Sequence, residues 1–114
     1  MRYVNCIFCI SVLLISVISV DITPKAYELL SSYDDSGNVW VSDTYYSWPK
    51  GYNFALVKGG LPENTDNYSV TEVKELKIYV PNGMTFTDDT AKIVDFKKRN
   101  GMVDVGVSNV RNDN

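Results

Sequence analysis

Residues 34–47, DDSGNVWVSDTYYS, set the reading of the fold. Asp34, Asp35, Ser36, Gly37 and Asn38 are the residue types that tight turns require. The nine residues that follow, 39–47, are rich in β-branched and aromatic side chains, which suit a pleated, half-buried surface. Upstream, 24–33 fits two patterns. Ala26, Leu29, Leu30 and Tyr33 have helical spacing behind a Thr23-Pro24 start, while Tyr27, Leu29, Ser31 and Tyr33 alternate like a strand. The turn cluster favours the strand, so the region is expected to be a hairpin bent at 34–38.

Working outward, 52–58 predicts a short strand and 59–67, rich in Gly, Pro and Asn, an exposed loop. Segment 71–80 alternates Leu76, Ile78 and Val80 against Glu75, Lys77 and Tyr79, the pattern of a strand wet on one face. Pro81-Asn82-Gly83 turns the chain, 84–87 pairs back, and Asp88-Asp89 makes a further turn. A strand over 91–98 is expected to point Val94 and Phe96 inward, and after Asn100-Gly101 the last strand carries Val103, Val105 and Val107 on one face. The expectation is an all-β domain, a small antiparallel sandwich or barrel of about six to seven strands spanning 20–107, with a polar, frayed tail over 108–114.

Ahead of this domain, Arg2 is followed by an uncharged apolar run over 6–20 that ends at Asp21. One positive charge, an apolar stretch and small residues near its end form a secretory leader, and Val17 and Ser19 suit cleavage after Ser19, making 1–19 a signal peptide. The run is short for a membrane span and lacks a basic stop beyond it, so no stable span is expected once the leader is gone. The product would be secreted, extracellular or, in a bacterium, periplasmic. Cys6 and Cys9, the only cysteines, leave with the leader, so the mature domain relies on packing without disulfides. Without Arg2 it carries ten basic against fourteen acidic side chains, which disfavours nucleic acid and anionic lipid as partners.

The chain has no histidine, which removes Ser-His-Asp and Cys-His catalysis and, with no thiol left, the usual zinc sites. The acid pairs Asp34/Asp35 and Asp88/Asp89, with Asp43, could serve glycoside hydrolysis, but sequence-adjacent turn aspartates ordinarily bond their own backbone. Neither segment has the ligand spacing of a calcium loop. No enzyme activity, cofactor or metal is therefore expected.

Eight aromatic rings fall within 27–54, while the rest of the mature chain holds four. Along 39–48, Trp40, Tyr46 and Trp48 share one parity, and Val39, Val41 and Tyr45 the other. If the valines face the core, the first set forms an exposed row able to stack on sugar rings or anchor a protein; the opposite assignment makes that row the core. Trp40, Tyr46, Trp48 and Tyr52 are the candidate ligand-binding residues. Residues 35–40 resemble the Asp-box hairpin of sialidase-type propellers, although Tyr33 stands where that motif has a leading serine and the segment occurs once. The resemblance implies a hairpin corner held by Asp35 and no activity. Asn67-Tyr68-Ser69 matches the N-glycosylation sequon on an expected loop.

Two functions compete. The first is a small secreted binding protein whose aromatic face engages an extracellular carbohydrate or protein. The second is an exported inhibitor or immunity-type protein that blocks an enzyme through acidic turns or the 59–67 loop, with net negative charge steering it to a basic partner.

Overall fold

The computed structural model describes residues 18–47 and 53–111. They form a small, mostly β domain: β1 (Ser19–Ile22), α1 (Pro24–Ser31), β2 (Asn38–Ser47), β3 (Asn53–Gly59), β4 (Tyr68–Val73), β5 (Leu76–Pro81), β6 (Thr90–Lys97) and β7 (Val103–Val110). The strands make one seven-stranded sheet in the order β1-β6-β7-β3-β2-β5-β4. Its two edges meet where Thr71 Oγ1 donates to the Ile18 carbonyl at 3.2 Å, so the sheet is nearly closed into a barrel rather than split into a sandwich. The sheet is mixed, not wholly antiparallel, because β1 runs parallel to β6 and β2 parallel to β5.

Segment 24–31 is a helix, against the strand reading. The decisive group is the Thr23 side chain, which accepts the Ala26 N–H at 3.2 Å as an N-cap, followed by Pro24 in the first turn, where its missing N–H costs nothing. Thr23 Oγ1 also donates to Asp95 Oδ1 at 2.8 Å, which seats the helix start on β6. Ala26 and Leu30, one turn apart, then enter the core. Residues 34–38 do turn the chain, but between a helix and a strand, and Asp34 rather than Asp35 holds the corner by accepting the Asn38 N–H at 3.2 Å. Gly37 is required there: its φ is +76°, and a Cβ would lie 2.7 Å from the Glu75 carbonyl oxygen.

The stretch read as one strand over 71–80 is two, β4 and β5, folded at Lys74-Glu75 with Lys74 at φ 54°. The turn is held from outside, since Tyr27 Oη accepts the Glu75 N–H at 3.3 Å and Lys74 Nζ sits 5.2 Å from the Tyr27 ring centroid. Segment 84–87 is no strand; Phe86 alone bridges to Val110. On β6 the parity is the reverse of that expected: Ala91 and Ile93 are buried in the core, which puts Val94 and Phe96 on the outer face. Strand β7 continues past 107 to Val110, where buried Asn109 donates to the Thr90 carbonyl at 2.8 Å and accepts the Lys92 N–H at 2.9 Å.

The core lies inside the sheet, built from Val39, Val41, Ala55, Val57, Leu76, Ile78, Val80, Ala91, Ile93, Val105 and Val107 with Ala26 and Leu30 of α1. Behind α1, Tyr33 Oη donates to Asp104 Oδ1 at 2.8 Å, and Lys98 Nζ lies 3.1 Å from Asp104 Oδ2. Burial first, then the Asp104 carboxylate, push the Tyr33 phenol from 10.0 up to about 12. Burial alone would raise the Asp104 carboxyl, but the bonds from Tyr33, the Val105 N–H and Lys98 outweigh it and hold it below the usual carboxylate range.

Both shifts stabilise the fold at neutral pH. The raised phenol contributes stability that is full below pH 10.0 and is lost as pH climbs through about 12. The depressed carboxyl contributes stability that is present above its unfolded value of about 4 and is lost as pH falls through its lower folded value. Tyr33→Phe is therefore expected to lower the denaturant midpoint at neutral pH and to flatten the alkaline fall. Superimposable wild-type and variant midpoint-against-pH curves would contradict this.

Candidate functional site

Strand β2 turns its valines inward, with Val39 and Val41 fully buried, and carries Trp40 on the outer face. Trp40 pairs there with Lys58 on β3 and Tyr79 on β5. Beyond Val41 the strand bulges, since the three residues between Val41 and Tyr45 oppose only Leu56, between Val57 and Ala55. Ser42 is turned inside, where its Oγ accepts the Thr44 N–H at 3.1 Å. The bulge also redirects Asp43. In a regular strand, residues three apart point to opposite faces, yet Asp43 and Trp40 line the same cleft.

The opposite wall comes from the 59–67 loop and the start of β4. A single 3-10 turn, Thr65–Asn67, delivers Tyr68 as the first residue of β4, opposite Pro81 of β5. Asn82 ties this wall to the turn after β5: its N–H donates to the Asn67 carbonyl at 2.8 Å, and its Oδ1 accepts Ser69 Oγ at 2.6 Å. The resulting open cleft, about 650 Å³, is lined by Trp40, Asp43, Glu63, Asn64, Asn67, Tyr68, Pro81, Asn82, Gly83 and Met84. Trp40 and Tyr68 stand with ring centroids 6.4 Å apart at 88°, so the cleft offers aromatic surface in two orientations. Burial, and then the nearby Asp43 carboxylate, raise the Tyr68 phenol above its ordinary value.

Of the residues singled out from sequence, Trp40 is in the cleft. Tyr46 is not. It lies beyond the bulge, 51% exposed, opposite Phe54. Trp48 and Tyr52 fall outside the described residues. Asn67, considered only for a glycan, is part of the cleft lining. The aromatic row thus runs across strands, through Trp40 and Tyr79 towards Tyr68, rather than along β2. Tyr68 was hidden inside the sequon, while the parity of 75–80 already put Tyr79 on the wet face.

The acidic turns are used locally. Asp34 caps its own turn, and Asp88 Oδ2 lies 2.7 Å from Lys92 Nζ. Among the described residues, no group of three or more His, Cys, Asp or Glu side chains is placed to hold a metal ion, and no helix is long and apolar enough to cross a membrane.

Chemically, the cleft combines ring surface for C–H faces with amides and carboxylates that donate to and accept from hydroxyls, the makeup of a site for small polar ligands. In comparisons with family models, curated proteins and solved structures, nothing matches the chain. The cleft's own chemistry is therefore the guide to function.

Proposed function

We propose that the protein is a small secreted, non-enzymatic binding module that holds a carbohydrate in the cleft between β2, β4 and the turn after β5. The observation that carries the reading is the perpendicular Trp40/Tyr68 pair inside a cleft whose remaining side chains are mostly amides and carboxylates. A pyranose presents a C–H face to an aromatic ring and a rim of hydroxyls to Asn64, Asn67 and Asn82. Trp and Tyr supply that contact area at little entropic cost. Asp43 and Glu63 act in this reading as acceptors for ligand protons. Export follows from the leader in this reading. Cleavage after Ser19 would leave Val20, Asp21 and Ile22 paired with Ala91, Lys92 and Ile93, but would remove the Ser19–Thr90 pairing and the Ile18 carbonyl that accepts from Thr71 Oγ1 at the seam between the sheet edges.

Calorimetric titration against a panel of oligosaccharides tests the proposal. Binding is expected, the bound sugar is recovered uncleaved, and Trp40→Ala weakens affinity by about 10- to 30-fold, or about 1.4–2 kcal/mol. Tyr46→Ala leaves it unchanged. Binding to a basic protein with no affinity for any oligosaccharide would overturn the reading in favour of an inhibitor. Because Asn67 lines the cleft, a glycan there and a ligand compete for the same space. Protein glycosylated at Asn67 is expected to bind only after enzymatic removal of the glycan; equal affinity before and after would contradict this placement.

A further inference from the structure

We infer that the cleft selects a carbohydrate bearing free amino groups, a de-N-acetylated amino sugar, over its neutral or acidic counterparts; this rests on the carbohydrate reading above. Among the described residues, the lining contains two carboxylates, Asp43 and Glu63, and no lysine or arginine. Among the described residues, no ion pair neutralises either carboxylate. Lys58, the cross-strand neighbour of Trp40 on the β3 side, holds its Nζ 5.7 Å from the Trp40 ring centroid, whereas β5 and β4 lie on the other flank of β2. The indole is thus already in contact with one cation, and the cleft side is left acidic.

Three ligand classes meet this lining differently. A neutral sugar gives the carboxylates hydroxyl donors, in bonds where only the acceptor is charged, in place of the water it displaces. A uronic or sulfated sugar adds like charge against Asp43 and Glu63. An ammonium on the ring makes both partners of the bond ionised, adding Coulomb attraction to Asp43 and Glu63, and the face of Tyr68 favours a cation as well. The amino group therefore discriminates where hydroxyls do not. The effect is moderate because the cleft is open and screened.

The test is titration of the intact secreted protein with three oligosaccharides of equal length, built from glucosamine, N-acetylglucosamine and glucuronate, in mildly acidic buffer that keeps the amines protonated. The glucosamine oligomer is expected to bind about five- to tenfold more tightly than the N-acetylated one and to weaken as salt is raised. The glucuronate oligomer binds least. In the double variant Asp43→Asn/Glu63→Gln both oligomers bind more weakly, but the glucosamine oligomer loses more, so that the five- to tenfold preference falls to about one. Equal affinity for the first two sugars, or a preference that survives in the double variant, overturns the selectivity and leaves the carbohydrate reading standing. Absence of binding to all three overturns both.

Discussion

Ile93→Ala is expected to destabilise the domain by about 3 kcal/mol, within the range of roughly 2–5 kcal/mol seen when a buried isoleucine or leucine is cut back to alanine. Ile93 is fully buried and pairs with Ile22 on β1 and Val107 on β7, so it sits where the parallel edge joins the antiparallel sheet. Its carbonyl also accepts the Thr23 N–H at 3.1 Å, at the start of α1. The vacated volume has no easy way to collapse, since sheet strands flank it on both sides. For a domain of this size, whose total stability is roughly 5–10 kcal/mol, the loss is a large fraction of the whole. Both cysteines precede the described residues, so no disulfide within them offsets it. The check is the guanidinium midpoint at neutral pH. A shift amounting to less than about 1 kcal/mol would show that Ile93 is not at the centre of the core.

The second large effect is expected from a substitution that adds atoms. Gly106→Ala places a Cβ 2.4 Å from Phe54 Cζ, 2.5 Å from Cε1 and 2.8 Å from the Ala55 carbonyl oxygen. Phe54 cannot simply swing away, because its ring packs edge to face on Phe96 at 4.8 Å. The carbonyl belongs to β3, which pairs with β7 at Leu56 and Gly106, so moving it disturbs the ladder. The expected cost is about 2–3 kcal/mol from overpacking. Gly106→Ala in a Phe54→Leu background should recover part of it, and a single variant as stable as wild type would refute the packing described for this outer face.

Much of the β character was legible because it is local. The 34–38 cluster bends the chain where its residue types require, and of the two faces that alternation defines on β2, the one with the valines at 39 and 41 is turned to the core. The helix was misread because Tyr27, Leu29, Ser31 and Tyr33 alternate, whereas its cause is one hydroxyl, Thr23 Oγ1, placed where it caps the first turn. The turn at Lys74-Glu75 carries no glycine or proline signal; a lysine at positive φ is tolerated there because Tyr27 holds the turn from another element. The two parallel pairings join segments far apart in sequence, which turn chemistry between neighbours cannot specify. The inward assignment of Val94 and Phe96 failed because the outer face near Gly106 is itself apolar, so hydrophobicity did not mark the inside.

For the cleft, parity grouped Trp40 with Tyr46 and Trp48 and left open which face of β2 was the core, and it pointed to none of the residues that line the cleft with Trp40. The row along β2 was drawn for an unbroken strand, and the bulge after Val41 both separates Tyr46 from Trp40 and brings Asp43 alongside it. Tyr68 and Asn82 are brought to the cleft by the β4–β5 pairing and the Asn82 hydrogen bonds to Asn67 and Ser69, and Glu63 and Asn64 join them from the preceding loop. Those contacts are long-range in sequence, and no local pattern encodes them.

The most direct test of the binding cleft is a titration of isotope-labelled protein with a binding oligosaccharide, followed by amide chemical shifts. The cleft account predicts saturable shifts concentrated at Trp40, Asp43, Asn64, Asn67, Tyr68, Asn82 and Met84, with Tyr46 and Phe96 unmoved. Shifts centred on the Phe54–Phe96 face instead, with the Trp40 and Tyr68 signals unchanged at saturation, would contradict it.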